Sequence, residues 1–591
     1  MQSWLSAAPW KEKSPMNDLP SPAASPSWLT QAEKWLPGVR VLRTYQKAWL
    51  PADLVAGLVL CTLLVPQGMA YAELAGLPAI VGLYTTVVCL VAYAIAGPSP
   101  YLILGPDSSL GPMIAATILP LAAGNSEKAV VLAGMLALMI GLINVAAGLA
   151  KLGFVADLLS KPVRVGYLTG LAITIFVGQL PKLFGFSTDA DGLVHEVAAF
   201  VSNLDETKPW ALGVGLLSLV IIVGLKKWAP RIPGILIAVV TAIALSIVFN
   251  LTAKGVSVIG VLPVGFPSPS FPAIAWSDLP LLAAAAFGMS LVTVGDTIST
   301  SAGFATRRGD EINSNQELIG IGSANLLAGL FQGFPVSTSS SRTAVAEQSG
   351  AKTQLTGLVA AALVLAMLLF MPGLVKDMPQ PVLAAVVITA SLSLFDLAEL
   401  RHLWAIRKSE FALALTCILG VAFVGVLEGI VIAVVLSILQ FFYRSWQPYS
   451  AVLGKSEEVA GYQDIKRYPL GRQIPGLLIL RWDAPLFFAN ANLFREWIRN
   501  LIKETTPTPV WILITAEPIT DVDTTAADML VDLDEELNAA NRHLIFAELK
   551  DPVKDKMIRY GLLETIDRRH FYPTIKKAVE AFHQEVYSKA T

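Results

Sequence analysis

Long apolar runs recur along this 591-residue chain, separated by short polar intervals. They lie at about 50–72, 78–97, 104–121, 129–150, 162–184, 210–227, 232–251, 279–304, 316–332, 338–350, 354–372, 380–398, 409–425 and 427–444. Most are near the roughly twenty residues that a helix needs to cross the hydrocarbon core. The third and tenth differ, because each opens on a polar break: Gly105-Pro106-Asp107-Ser108-Ser109 and Pro335-Val336-Ser337-Thr338-Ser339-Ser340-Ser341-Arg342. The stretches that follow, from Leu110 and from Thr343, are too short or too interrupted to span as normal helices. The pattern predicts about fourteen membrane segments, two of them half-helices. From about residue 448 the composition changes abruptly. Strands at 476–482, 509–515 and 543–548 alternate with helices at 492–503, 525–540, 553–560 and 572–588, which predicts a soluble α/β domain with helices covering a sheet.

The breaks carry the functional signal. In lipid every backbone amide needs a partner, so irregular backbone at membrane depth survives only where it is buried in protein or lines a cavity. Each break leads into a helix amino terminus, where free N–H groups and the positive dipole end attract anions. The hydroxyls of Ser108, Ser339, Ser340 and Ser341 converge on the same point, and Arg342 supplies a positive field. Ser and Thr are also preferred as caps in any helix, and that simpler role stays open for the hydroxyls. The broken segments are the third of each set of seven. An odd number of spans per half gives the halves opposite orientation, so the spacing predicts a 7+7 inverted repeat with the breaks facing each other at the midplane.

Composition narrows the class. Hydrophobic residues make up 54% and charged residues 15%, well below the roughly 25% charge of soluble domains. A net charge of −2 with no basic stripe argues against nucleic-acid binding. Cys61, Cys89 and Cys417 sit inside apolar segments without metal-ligand spacing. No metal, cofactor or enzymatic acid/base constellation is expected. Residues 1–34, rich in Pro and Ser, read as a flexible tail, and the mixed apolar and basic stretch from Trp35 to Trp49 suits a helix on the membrane surface in contact with lipid. If the amino terminus is cytosolic, the inside loops carry Lys151, Lys161, Arg164, Lys226, Lys227, Arg231, Arg307, Arg308, Arg401, Arg407 and Lys408. That satisfies the positive-inside rule. A multi-pass protein of the plasma (inner) membrane with both termini cytosolic is expected, with a membrane part over 35–445 and a soluble domain over 448–588.

Four sequences then stand out together: Pro66-Gln67-Gly68-Met69-Ala70-Tyr71-Ala72, Gly105-Pro106, Asn315-Gln316-Glu317-Leu318 and Ser339 to Arg342. In this order and spacing they resemble the sulfate permease family, solute carrier family 26. Leu486 to Ala491 and Ile519 to Thr525 resemble its carboxy-terminal STAS domain. The resemblance implies a core domain moving against a gate domain, an anion held between the third and tenth helices, and a homodimer. It places Gln67 and Tyr71 beside the anion, and Ser339, Ser341 and Arg342 at the start of the tenth helix. For Gln67 an ordinary interhelical hydrogen bond is the alternative.

Two acidic residues lie in unusual places. Asp296 falls within the eighth span, where a carboxylate must be protonated, ion-paired or cation-bound to be tolerated. With Thr300 on the same helical face, it is the coupling candidate for a sodium ion or a proton. Asp107 departs from the usual family pattern and serves either as a helix cap or in a substrate or ion role. In the STAS domain Thr524 stands where anti-sigma antagonists carry a phosphorylatable hydroxyl, and capping by Asp523 or Thr524 is the simpler reading. The expected activity is secondary active transport of a small inorganic oxyanion, sulfate first, by cation symport. A sodium-dependent bicarbonate or dicarboxylate transporter, a passive anion channel and a neutral-solute symporter are the alternatives.

Overall fold

The computed structural model describes residues 36–154, 160–188, 192–229, 232–456 and 459–587. The tail expected over 1–34 lies outside them, as do Arg231 and Trp35. The chain divides between Ser437 and Ile438 into two compact units.

In the first unit a short surface helix, α1 (Pro37–Thr44), precedes the expected spans. The first half comprises α2 (Leu50–Leu74), α3 (Ala79–Ala96), the half-helix α4 (Gly111–Ala122), α5 (Ser126–Leu149), α6 (Lys161–Phe184), α7 (Leu193–Ser202), α8 (Pro209–Trp228) and α9 (Gly234–Phe249). The second comprises α10 (Leu279–Arg308), α11 (Ser314–Leu330), the half-helix α12 (Ser340–Gln348), α13 (Leu355–Phe370), α14 (Gln380–Leu394), α15 (Leu397–Ile406), α16 (Lys408–Phe423) and α17 (Val426–Trp446). Among the described residues eight helices are, by length and composition, long and apolar enough to cross a membrane. Two helices are additions to the sequence reading. α7 forms within the loop expected at 185–209, and α15 follows a span that ends at Leu394 instead of 398.

Packing sorts these helices into two bundles. α11 lies along α3 and α5, and α13 along α2 and α3, which with α4, α10 and α12 make a core. α6 packs on α14 and α16, and α14 and α9 on α8, which make a gate. Glycines permit the closest approaches within each. A Cβ on Gly82 of α3 would stand 1.9 Å from the Gly68 carbonyl oxygen of α2, and one on Gly429 of α17 would stand 2.3 Å from the Val421 nitrogen of α16. Such close backbone contact is how membrane helices associate where no hydrophobic force drives them together.

The two breaks satisfy each other's backbone. Leu104–Gly105 (β1) pairs antiparallel with Ser337–Thr338 (β2), Leu104 opposite Thr338 and Gly105 opposite Ser337. Side chains hold the rest. Asn325 of α11 bonds both backbone groups of Val336, at 2.9 and 3.2 Å, and Gln354 donates to the carbonyls of Ser99 and Leu102 at 2.8 and 2.9 Å. These pairings give partners to much of the irregular backbone that lies at membrane depth.

The second unit carries a six-stranded sheet in the order β4 (Tyr462–Asp464), β3 (Ser450–Lys455), β5 (Leu477–Trp482), β6 (Trp511–Thr515), β7 (His543–Ala547), β8 (Phe571–Tyr572). β5 to β8 run parallel and β3 is antiparallel to both its neighbours. α18 (Ala491–Glu504), α19 (Thr524–Ala539) and α20 (Asp551–Arg559) cover one face, and α22 (Ile575–Phe582), after the short α21 (Leu562–Thr565), covers the other. The three central strands match expectation. β3, β4 and β8 do not appear in the sequence reading, and β8 takes Tyr572, the first residue assigned to a final helix over 572–588. β4 and β8 are edge strands of three and two residues, too short to show a period of two.

Candidate anion and coupling site

The half-helices α4 and α12 follow the paired strands β1 and β2, α4 after the turn at Pro106 to Leu110 and α12 after Ser339 alone, and the residues before both line one cavity. α12 starts at Ser340, three residues earlier than Thr343, and this brings Arg342 into its first turn. Ser339 is the N-cap, its Oγ accepting from the Arg342 amide at 3.4 Å and lying 3.1 Å from Ser341 Oγ. The capping expectation therefore holds for Ser339. Ser340 has turned toward α10, its Oγ 2.9 Å from Thr300 Oγ1, and Thr297 meets Thr338 in the same way at 2.9 Å. These hydroxyl pairs fix α12 against α10.

Arg342 is 1% exposed, and Nε, Nη1 and Nη2 have no hydrogen-bond partner in the protein. Asp107 Oδ1 lies 3.7 Å from Nη2, an ion pair without a hydrogen bond. Gly105 makes room for the guanidinium, since a Cβ there would fall 2.7 Å from Nη1. Asp107 is not the N-cap of α4, which is Leu110. Its Oδ2 instead accepts from the Ser109 amide at 3.0 Å and from Ser109 Oγ at 2.7 Å, closing a turn just before the helix. The carboxylate thus closes the turn and pairs with the charge of Arg342, and the helix-cap alternative expected for Asp107 is not realised.

A cavity of about 940 Å³ opens onto these groups, lined by Gln67 and Tyr71 of α2, Asp107 and Ser108 before α4, Ser339 to Arg342, and Asp296 and Thr300 of α10. All ten residues named from the sequence as substrate or coupling ligands therefore meet in one space. Thr300 lies beside Asp296 on the same face, as the four-residue spacing requires, with its hydroxyl engaged by Ser340. The lining also includes Lys161, Lys226 and Glu399, which stand at the ends of α6, α8 and α15 on the side of the positively charged loops. Lys161 and Glu399 pair at 2.6 Å.

Sequence reasoning missed three members of this site. Ser109 lies between the two carboxylates, 2.7 Å from Asp107 and 3.5 Å from Asp296 Oδ2. Tyr167 of α6 donates to Asp296 Oδ1 at 3.0 Å, and Arg164 donates to Ser299. From the sequence Arg164 reads only as a loop cation, and nothing local to α6 marks either residue. In the second unit Asp523 caps α19, accepting from Ala526 N and Phe488 N, both at 2.8 Å, while Thr524 is its exposed first residue.

Residues 50–417 match the sulfate permease family, and residues 468–578 match the STAS domain. A probable sulfate transporter of Mycobacterium tuberculosis is 40% identical over 550 residues, 93% of this chain and 98% of that protein. The chloroplastic sulfate transporter 4.1 of Arabidopsis thaliana is 30% identical over 571 residues, covering 93% of this chain and 83% of its own. Among solved structures, murine solute carrier 26 family member A9 in an inward-facing state superposes with a TM-score of 0.87 at 24% identity, over 96% of this chain and 97% of that one. The transmembrane domain of a cyanobacterial bicarbonate transporter gives 0.58 at 24% identity, over 67% of this chain and 97% of its own. These likenesses show the fold, a 7+7 inverted-repeat membrane domain followed by an α/β domain. By its matched residues and its relatives, this chain belongs to the sulfate permease family and ends in a STAS domain.

Proposed function

We propose that this protein is a secondary active transporter of a small inorganic oxyanion, sulfate first, driven by a cation gradient. The observation that carries the reading is Arg342, a fully buried guanidinium in the first turn of a half-helix, whose nitrogens find no acceptor in the protein and which borders the cavity. Leaving a buried charged group without hydrogen bonds is costly, and an oxyanion supplies the missing acceptors. The free N–H groups of α12 and α4 add their dipole ends. Sulfate transport, the function named for the mycobacterial and plant relatives, supports sulfate as the first substrate to test.

Asp296 is the proposed coupling residue, with Thr300 beside it. Asp107 partly neutralises Arg342, and that favours a singly charged anion such as bicarbonate as the second reading. The proposal includes a homodimer in the plasma (inner) membrane, with the amino terminus and STAS domain in the cytosol and the STAS domain supporting assembly or regulation. Uptake of labelled sulfate, bicarbonate and a dicarboxylate into proteoliposomes, with sodium and pH gradients imposed separately, tests it. Gradient-driven accumulation of sulfate is expected. Flux that only equilibrates the anion under every gradient would instead indicate a channel.

A further inference from the structure

Two hydrogen bonds cross from gate to core at one place. Tyr167 Oη donates to Asp296 Oδ1 at 3.0 Å, and one turn earlier on α6 Arg164 Nη1 donates to Ser299 Oγ. Asp296 and Ser299 are likewise three residues apart on α10, so the two helices are joined by a two-rung ladder. The other oxygen of Asp296, Oδ2, faces Ser109 Oγ at 3.5 Å, but the single hydroxyl hydrogen of Ser109 is better placed toward Asp107 Oδ2 at 2.7 Å. The strongest hydrogen bond to Asp296 therefore comes from the gate, whereas Asp296 itself belongs to the core. A hydrogen bond to an ionised carboxylate is about twice as strong as one to a neutral acceptor. A sodium ion or proton on Asp296 weakens the Tyr167 bond and the attraction of Arg164 together.

We infer that Tyr167, backed by Arg164, is the positioning residue through which the gate senses the occupancy of Asp296. It holds core and gate in the present arrangement while the carboxylate is empty, and cation binding loosens it. The inference rests on Asp296 being the coupling residue. A ligand shifts a conformational equilibrium only through its differential affinity for the two states. The ladder supplies that difference, because the phenol opposes cation binding here and cannot do so once α6 and α10 have moved apart. The charged and titratable groups acting on Asp296 are Asp107 in the core and Arg164 and Tyr167 in the gate, so only the last two change with the movement.

The test uses the full chain in detergent, with Cys61, Cys89 and Cys417 replaced by Ala and a reporter cysteine placed at Val345, which lines the cavity. Maleimide labelling of the V345C reporter measures access to the cavity. With Tyr167 intact, labelling is expected to be fast in N-methylglucamine chloride at neutral pH and to slow on adding sodium chloride or on acidification. Tyr167→Phe should slow the sodium-free rate about tenfold and abolish the response to sodium and to acid, and Ser299→Ala should shift it the same way by less. Tyr167→Phe protein that labels at the parent rate with the full cation response overturns the inference while leaving Asp296 in place. An undiminished cation response in Asp296→Asn overturns both the inference and the coupling role on which it rests.

Discussion

A single methyl group at Gly105 should separate the anion site from the fold. The Cβ of Gly105→Ala would stand 2.7 Å from Arg342 Nη1 and 3.3 Å from Cζ. Ordinary contact is about 3.5 Å, so the guanidinium has to retreat by roughly 0.8 Å. It is the far end of a flexible side chain and can do so, whereas the Gly68 carbonyl that faces Gly82 at 1.9 Å cannot. Gly105→Ala should therefore leave thermal unfolding in detergent within about 1 kcal/mol of the parent, and Gly82→Ala should yield little folded protein. Hydrogen bonds to charged groups contribute about 1.5–3 kcal/mol each. Displacing the donor from its acceptor should weaken the apparent affinity for the transported anion by about 10- to 100-fold. The assay is concentration-dependent uptake into proteoliposomes, with the anion panel as competitors. Folded Gly105→Ala protein with unchanged apparent affinity would show that the guanidinium does not face the substrate.

Other perturbations address neighbouring parts of the site. Arg342→Ala, or a bulky apolar residue at Ser341, should abolish binding while the protein stays folded, and unchanged uptake kinetics in both would refute the assignment. Asp296→Asn should abolish gradient-driven accumulation while leaving cation-independent anion exchange, if any, measurable. Asp107→Asn removes the charge 3.7 Å from Arg342 and should shift selectivity toward more highly charged anions, read from the competition profile. Truncation near Gln447 should lower activity or expression without changing which anions compete. In the STAS domain burial pushes the Asp534 carboxyl up from 3.8 to about 6. The folded domain then holds a proton that the unfolded chain releases between those values, so its stability falls as pH rises through that window. Asp534→Asn should stabilise the domain by about 2 kcal/mol at pH 7.5, an advantage that disappears below pH 4 in thermal unfolding.

The sequence alone determined the segment count, the two breaks and their place as third in each half, because lipid demands long apolar runs and tolerates irregular backbone only at a site. Asp107, Asp296 and Arg342 stood out for the same reason, since charged groups within apolar sequence are expensive, whereas Gln67 and Tyr71 were placed by the family resemblance alone. The strand pairing of Leu104 with Thr338 joins residues 234 positions apart, and no local pattern encodes such a register. Tertiary structure also decided what each polar group faces. Ser340 turned to Thr300, Asp107 to both Ser109 and Arg342, and Tyr167 reached Asp296 from a helix whose own sequence marks it as ordinary. Side-chain direction at a helix crossing depends on the angle and depth at which two helices meet.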